Sequence, residues 1–241
     1  MPPRLFVDRP LTAGTTFALP AGAARHVQVL RLQPGAALTL FDGTGGESAA
    51  TVAQMGRSEV TVRLGERTEV DRELPFQVTL VLGMPANERM DTLVEKATEL
   101  GASTIQPLLC ERSVLRLTGE RADKKVAHWQ AVALAACEQS GRTRVPRIAP
   151  VRPLPQWLRE LPPGALSRWM LSFRDARPIA AMSLSRSGEL LCLSGPEGGL
   201  SPAEEDAAIA AGFAPASLGP RVLRADTAPL ALLAHLGLGA D

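Results

Sequence analysis

The chain has only three cysteines, Cys110, Cys137 and Cys192, far apart and in apolar company. No pair has zinc spacing, and an odd number argues against a disulfide framework, so buried thiols in a reducing compartment are expected. Histidine is equally scarce: His26, His128 and His235 are scattered, and no metal site is expected. Long apolar runs are missing too. Those present are broken by Gly or Pro and are too short to span a bilayer. The short apolar stretch near the N-terminus is flanked by Arg4, Asp8 and Arg9, which is not a signal-peptide pattern. A cytoplasmic protein with no membrane partner is expected. Net charge is only +1, so no global field draws the chain to nucleic acid, and any basic patch must be local. Lysine is nearly absent: Lys96, Lys124 and Lys125 are three of 26 cations. The remainder is arginine, which suits phosphates and base edges, although a GC-rich gene produces the same bias.

What is present is a folding composition. The 241 residues are 45% hydrophobic and 21% charged, which excludes a mainly disordered chain and allows two domains with real cores. Residues 1–70 read as a small β unit. Leu38 to Phe41 is followed by the turn Asp42-Gly43-Thr44-Gly45-Gly46, then by short strands at Glu47 to Ala53 and Glu59 to Leu64. Ala23 to Leu32 is expected as a short helix with Val27, Leu30 and Val29 facing inward, stopped at Gln33-Pro34-Gly35. The polar segment 65–75 reads as linker, with 71–75 the boundary between the domains. From residue 76 to 241 strands and helices alternate. Strands are expected at Phe76 to Leu82, Ser103 to Leu109, Trp169 to Phe173, Glu189 to Leu193 and Ala216 to Leu218. Helices are expected from Met90 to Leu100, over 123–140, from Ser201 to Ala211 and from Thr227 to Leu236. This rhythm predicts an α/β fold with a largely parallel sheet.

Four stretches could carry chemistry. Leu191 to Ser194 leads into Gly195-Pro196-Glu197-Gly198-Gly199-Leu200, then into Ser201 as N-cap, Pro202 at the first helical position and Glu204 three residues after the cap. The turn is neither a dinucleotide fingerprint nor a P-loop. Glu197 repels phosphate, so a neutral or cationic ligand suits it better. Taken alone, the turn fits a plain strand-to-helix connection as well as a ligand loop. Leu218-Gly219-Pro220-Arg221-Val222-Leu223-Arg224 repeats the theme before a helix capped by Asp226 or Thr227. Two such loops after strands of one sheet fall near each other. The third stretch, Glu138-Gln139-Ser140-Gly141-Arg142-Thr143-Arg144, either complements a helix dipole or suits RNA. The fourth is Arg112, Arg116, Arg121, Lys124 and Lys125, which reads most simply as a solvated face.

Together these residues resemble the SPOUT methyltransferases, and within them the RsmE-type enzymes that methylate N3 of a uridine in small-subunit ribosomal RNA. The resemblance is carried by Leu193 to Gly199, by Leu218 to Arg224 with Thr227-Ala228, by Lys96 to Gly101 and Glu138 to Arg142, and by Val29 to Leu32 with Phe41-Asp42-Gly43. It therefore covers nearly the whole chain. It implies a PUA-like barrel over 1–70 and a SPOUT domain over 76–241 with a C-terminal trefoil knot. It implies a homodimer with a shared active site, 16S ribosomal RNA as partner, and S-adenosylmethionine as cofactor. The implied cofactor residues are Leu171, Ser172, Ser194, Gly195, Pro196, Glu197, Gly198, Gly199, Leu200, Leu218, Gly219, Arg221, Val222, Leu223 and Arg224. Two departures stand out: Asp226 where the family often has Glu, and Pro85-Ala86-Asn87-Glu88-Arg89 where it often has a Lys-rich segment, so that a basic contact is either weakened or moved to Arg89.

Uridine N3 carries a proton at neutral pH, so the reaction needs an exposed base and a proton acceptor. Arg224 is the candidate to stabilise the developing anion, and Glu138 of the partner subunit the candidate acceptor. RNA contacts are expected from Arg25, His26 and Arg31 in the barrel and from Arg112, Gln139 and Arg142 in the second domain. Two alternatives stay open: a SPOUT enzyme acting on a ribose 2′-oxygen, and a non-catalytic RNA-binding assembly factor. A nucleotide-dependent oxidoreductase is disfavoured, because no acidic ribose-binding residue follows the glycine turn at the required distance.

Overall fold

Alternating burial along short strands builds the first unit, and continuous apolar strands build the second. The structure is a computed structural model that describes residues 2–57, 59–162, 166–184 and 188–239. It divides into one unit of Met1–Glu73 with Cys137–Val145 and another of Leu74–Ala136 with Pro146–Asp241. Asp241, the end of the expected second domain, lies outside the described residues.

The first unit contains β1 (Arg4–Phe6), β2 (Thr16–Ala18), α1 (Ala21–Val29), β3 (Ala37–Phe41), β4 (Glu47–Met55) and β5 (Val60–Thr68). Its sheet order is β1-β3-β4-β5-β2, with β1 parallel to β3 and the other pairs antiparallel. Val60, Val62 and Leu64 on β5 point to the same face, as the two-residue period requires, and join Leu38, Leu40, Ala50 and Val52 in one core. β5 continues to Thr68, so the first four residues of the 65–75 linker are strand. α1 ends at Val29, three residues before the expected Leu32. Arg31 adopts φ 52°, a left-handed conformation that ends the helix before Gln33. Ala24 and Val27 are its buried residues, whereas Val29 and Leu30 are exposed, contrary to the expected inward face. Val29 is two residues from Val27 and so lies on the far side of the helix. Residues 137–145, expected in the second domain, cluster with this unit. Thr143 Oγ1 donates to the Val70 carbonyl at 3.1 Å, and the Gly45 N–H donates to the Thr143 carbonyl at 3.2 Å.

The second unit runs β6 (Gln77–Gly83), α2 (Asn87–Glu99), β7 (Thr104–Leu109), α3 (Gly119–Ser140), β8 (Arg147–Ile148), β9 (Arg152–Pro153), α4 (Leu154–Arg159), β10 (Ser167–Leu171), β11 (Arg177–Pro178), β12 (Glu189–Ser194), α5 (Pro202–Ala210), β13 (Ala214–Ser217) and α6 (Thr227–Leu238). Residues 137–140 at the end of α3 are those counted with the first unit. Every pairing in the sheet is parallel, in the order β11-β13-β10-β12-β6-β7-β8, with β9 also on β7. Neighbours on β6 feed opposite cores. Leu80 and Leu82 pack with Met90, Leu93 and Trp129. Val81 packs with Leu154, Trp157, Leu193 and Phe213. Both faces are covered, which is why these strands read as unbroken apolar runs. No helix among the described residues is long and apolar enough to cross a membrane.

Candidate cofactor site

β13, β10 and β12 are consecutive in the sheet and parallel, so their carboxyl ends emerge side by side. In such sheets that edge is where ligands bind. Three loops leave it, and each is held by its own chemistry.

The loop after β10 starts at Ser172. Its N–H donates to the Ala216 carbonyl at 3.1 Å, and its Oγ donates to Glu205 Oε1 at 2.8 Å. The strand expected to reach Phe173 thus ends at Leu171, because Ser172 turns to meet α5.

The loop after β12 closes tightly, with the Gly199 N–H donating to the Pro196 carbonyl at 2.8 Å. At Gly195 a Cβ would stand 2.8 Å from the Leu200 backbone nitrogen, so only glycine fits. The helix that follows has its full capping box. Glu204 Oε2 accepts the Ser201 N–H at 2.9 Å, while Oε1 reaches across to the Glu111 N–H at 2.7 Å. Arg112 Nη1 donates to the Gly198 and Leu200 carbonyls at 3.0 and 3.3 Å. Glu197 Oε1 accepts the Ala86 N–H at 2.8 Å and lies 3.6 Å from Arg89 Nη1. Ala86 is the N-cap of α2, so the carboxylate sits at the positive end of a helix. Its acceptor atom is engaged in shaping the loop.

The loop after β13 turns at Gly219, whose φ is 106°. The Arg224 carbonyl accepts the Thr227 and Ala228 N–H groups, both at 3.0 Å. Asp226, one of the two expected caps, stands at the N-cap position of the helix. It has helical φ and ψ, and its side chain makes no capping bond.

These loops enclose a cavity of about 660 Å³, within the range of small-molecule sites. Leu171, Ser172, residues 194–200, Leu218, Gly219 and residues 221–224 all line it. The walls are largely backbone and apolar side chains, with the carboxylates of Glu197 and Glu205 among them. A lining of this kind suits a flat ring and a cation, and S-adenosylmethionine offers both. Arg221 and Arg224 also line it, and no side-chain hydrogen bond or ion pair of either is found among the described residues. Arg89 and Arg174, by contrast, face the carboxylates of Glu197 and Asp206.

The remaining expected site residues lie in the first unit, apart from Arg112, which braces the β12 loop. Arg25, His26, Arg31 and Gln139 are exposed. Glu138 Oε1 accepts the Phe6 N–H at 2.9 Å, and Oε2 is 3.8 Å from His26 Nδ1. Burial raises the Glu138 carboxyl above its ordinary range, and the Phe6 N–H and the nearby His26 and Arg4 only partly oppose this. Arg142, the other expected RNA contact, is the enclosed one. Its side chain is only 5% exposed and is paired with Glu73, with Nε at 3.1 Å from Oε1. A guanidinium so enclosed is held by its carboxylate partner and offers little surface to solvent.

A family model of the RNA methyltransferase domain matches residues 72–237, and one of the RNA methyltransferase PUA domain matches residues 19–65. The chain belongs to this RNA methyltransferase family. The "Ribosomal RNA small subunit methyltransferase E" of Bacillus subtilis (strain 168) is 31% identical over 230 residues, covering 92% of this chain and 89% of that protein. Its namesake from Synechocystis sp. (strain ATCC 27184 / PCC 6803 / Kazusa) is 33% identical, covering 97% and 76%. A crystal structure of the Neisseria gonorrhoeae protein of that name, bound to S-adenosyl methionine, superposes with a TM-score of 0.93 at 36% identity, covering 98% and 97%.

In this RNA methyltransferase the cavity also has walls that were not anticipated. Phe173, Arg174, Glu205, Ala216, Ala225 and Ala228 line it as well. Ala225 directly follows the quoted loop, and Ala228 belongs to the motif that carried the resemblance without being singled out as a cofactor residue. Glu205 follows the capping glutamate, and nothing local marks it as facing a cavity.

Proposed function

We propose that the protein transfers a methyl group from S-adenosylmethionine to N3 of a uridine in the 16S ribosomal RNA of the small subunit. The observation that carries this reading is the cavity at three adjacent strand ends, lined by Arg221 and Arg224, neither of which makes an ion pair among the described residues. Bound there, S-adenosylmethionine supplies an electrophilic methyl group on a sulfonium sulfur. The β12 and β13 loops hold it through backbone groups, and the Gly195 approach keeps the pocket narrow enough to orient it. Arg224, with Arg221 beside it, faces the uracil and stabilises the negative charge that spreads over its carbonyl oxygens as N3 loses its proton. N3 forms the new bond to carbon as the sulfur–methyl bond breaks, and the N3 proton passes to Glu138 of the partner subunit. Burial raises this carboxyl, which makes it a better proton acceptor than an exposed glutamate.

The reading includes a homodimer with a shared active site and a trefoil knot in the second domain. β13 pairs between β10 and β11 rather than adding at an edge, which supports a threaded chain, an exception to the usual rule of unknotted connections. The PUA-like first domain grips RNA through Arg25, His26 and Arg31, and the protein works in the cytoplasm. Calorimetric titration with S-adenosylmethionine, followed by transfer of labelled methyl to 16S ribosomal RNA free and in assembled subunits, tests the proposal. Cofactor binding and RNA labelling are expected. A chain that binds no S-adenosylmethionine would instead be a non-catalytic RNA-binding factor.

A further inference from the structure

The chain has no tyrosine, six phenylalanines and three tryptophans. Trp129, Trp157, Trp169, Phe17, Phe41, Phe76 and Phe213 are all buried, and Phe6 is half-buried. Phe173 is the exposed one, at 62%. An aromatic ring left in water forgoes the burial that stabilises the other eight.

The ring is held in that position by its neighbours. Ser172 Oγ donates to Glu205 Oε1 at 2.8 Å and accepts the Arg174 N–H at 3.0 Å. Arg174 Nη1 donates to Asp206 Oδ1 at 2.6 Å. Both residues flanking Phe173 are thus tied to side chains of α5, and Asp175 turns the chain with φ 49°. The apex of this fixed turn lines the cavity. Val222, 84% exposed, lines it from the β13 loop, together with Arg221 and Arg224. A flat apolar face and two guanidiniums with no carboxylate partner among the described residues therefore border one cavity. A nucleotide presents the matching pair: a base with a π-face, and anionic oxygens.

We infer that Phe173 is the platform on which the acceptor base stacks once it has left its RNA strand. This rests on the reading that an RNA base is methylated in this cavity. The second reactant enters from solvent and must come to rest about 3–3.5 Å from the methyl carbon. A ring exposed to solvent meets that reactant, whereas a ring serving the cofactor alone would be covered by the pocket. A base extruded from its strand loses its stacking partners, and an aromatic side chain replaces them. Phe173 has no polar atom, so it positions any base equally, and base identity is read by other groups.

The test compares the full-length wild-type protein with Phe173→Leu, which keeps an apolar side chain without the ring, and Phe173→Trp, which keeps a ring. Three quantities are measured: steady-state methyl transfer to in vitro transcribed 16S ribosomal RNA, S-adenosylmethionine affinity by calorimetry, and subunit association by sedimentation. F173L is expected to raise KM for RNA by about tenfold to a hundredfold, with cofactor affinity and association unchanged, and F173W to restore KM. An unchanged KM in F173L overturns the inference. So does a loss of cofactor affinity matching the loss on RNA, which would assign the ring to the cofactor. A change in association alone would assign it to a subunit interface and also overturns it. Wild-type protein that methylates no RNA overturns the proposed function and this inference with it.

Discussion

Replacing Glu204 tests whether one buried carboxylate holds the β12 loop in shape. The side chain belongs to a residue only 7% exposed, and its two oxygens accept the N–H groups of Ser201 and Glu111. Glu204→Ala removes both bonds and half of the capping box. Hydrogen bonds to a charged group contribute about 1.5–3 kcal/mol each, and a lost cap costs about 1 kcal/mol, but water reaches the exposed Glu111 end and offsets part of this. The net cost is about 2–4 kcal/mol, which lowers the melting temperature by about 4–16 °C for a chain of this size. Glu204→Gln keeps one acceptor and sets an NH₂ against the other backbone donor, so it falls between wild type and alanine. Ser201 also ends the cofactor loop, so S-adenosylmethionine affinity should fall by about tenfold or more in E204A. Differential scanning calorimetry and titration calorimetry read both effects. A melting temperature within about one degree of wild type, with normal cofactor affinity, would refute the reasoning.

Three other outcomes follow from the same geometry. Gly195→Ala places a Cβ 2.8 Å from the Leu200 nitrogen and 3.0 Å from the Gly199 carbonyl carbon; cofactor titration should show a loss of about tenfold or more, and wild-type affinity would contradict the fit. Arg224→Ala should abolish methyl transfer while leaving cofactor affinity within about twofold, and unchanged transfer would remove Arg224 from the mechanism. Burial works to raise the Glu47 carboxyl, but hydrogen bonds and charge from Arg4 and Arg72 outweigh it and lower the net pKa below 4.5. A lowered carboxyl contributes stability above its unfolded value of 4.5 and loses it as pH falls through the lower folded value. Glu47→Gln should therefore destabilise the protein by about 3 kcal/mol near neutrality, leaving the buried Arg4 without its carboxylate. The gap to wild type should narrow in acid, and melting curves showing a constant gap would count against the pair.

Much of the site was legible because its signals are local. Ser201, Pro202 and Glu204 mark a helix start within four residues, and the apolar run Leu190 to Leu193 marks a buried strand. The cofactor loops follow directly from those boundaries. Partners distant in sequence were not legible. Arg142 reads as a free cation until Glu73, 69 residues away, encloses it. Glu197 reads as a carboxylate facing only a ligand until the Ala86 N–H, 111 residues away, takes one of its oxygens. β8, β9 and β11 have two residues each, too few for any period to show. α4 was hidden because Pro153 and Pro155 read as breakers, whereas they stand at its cap and first turn. The end of α1 was misplaced because a single left-handed arginine stops it, and arginine carries no stop signal.

The central claim is that this cavity directs a methyl group to a base nitrogen of ribosomal RNA. Incubating the protein with methyl-labelled S-adenosylmethionine and unmodified small subunits, then digesting the RNA to nucleosides for mass spectrometry, tests it most directly. Label in N3-methyluridine at one position of 16S ribosomal RNA is the expected result. Label on a ribose 2′-oxygen, or none in RNA, would contradict it.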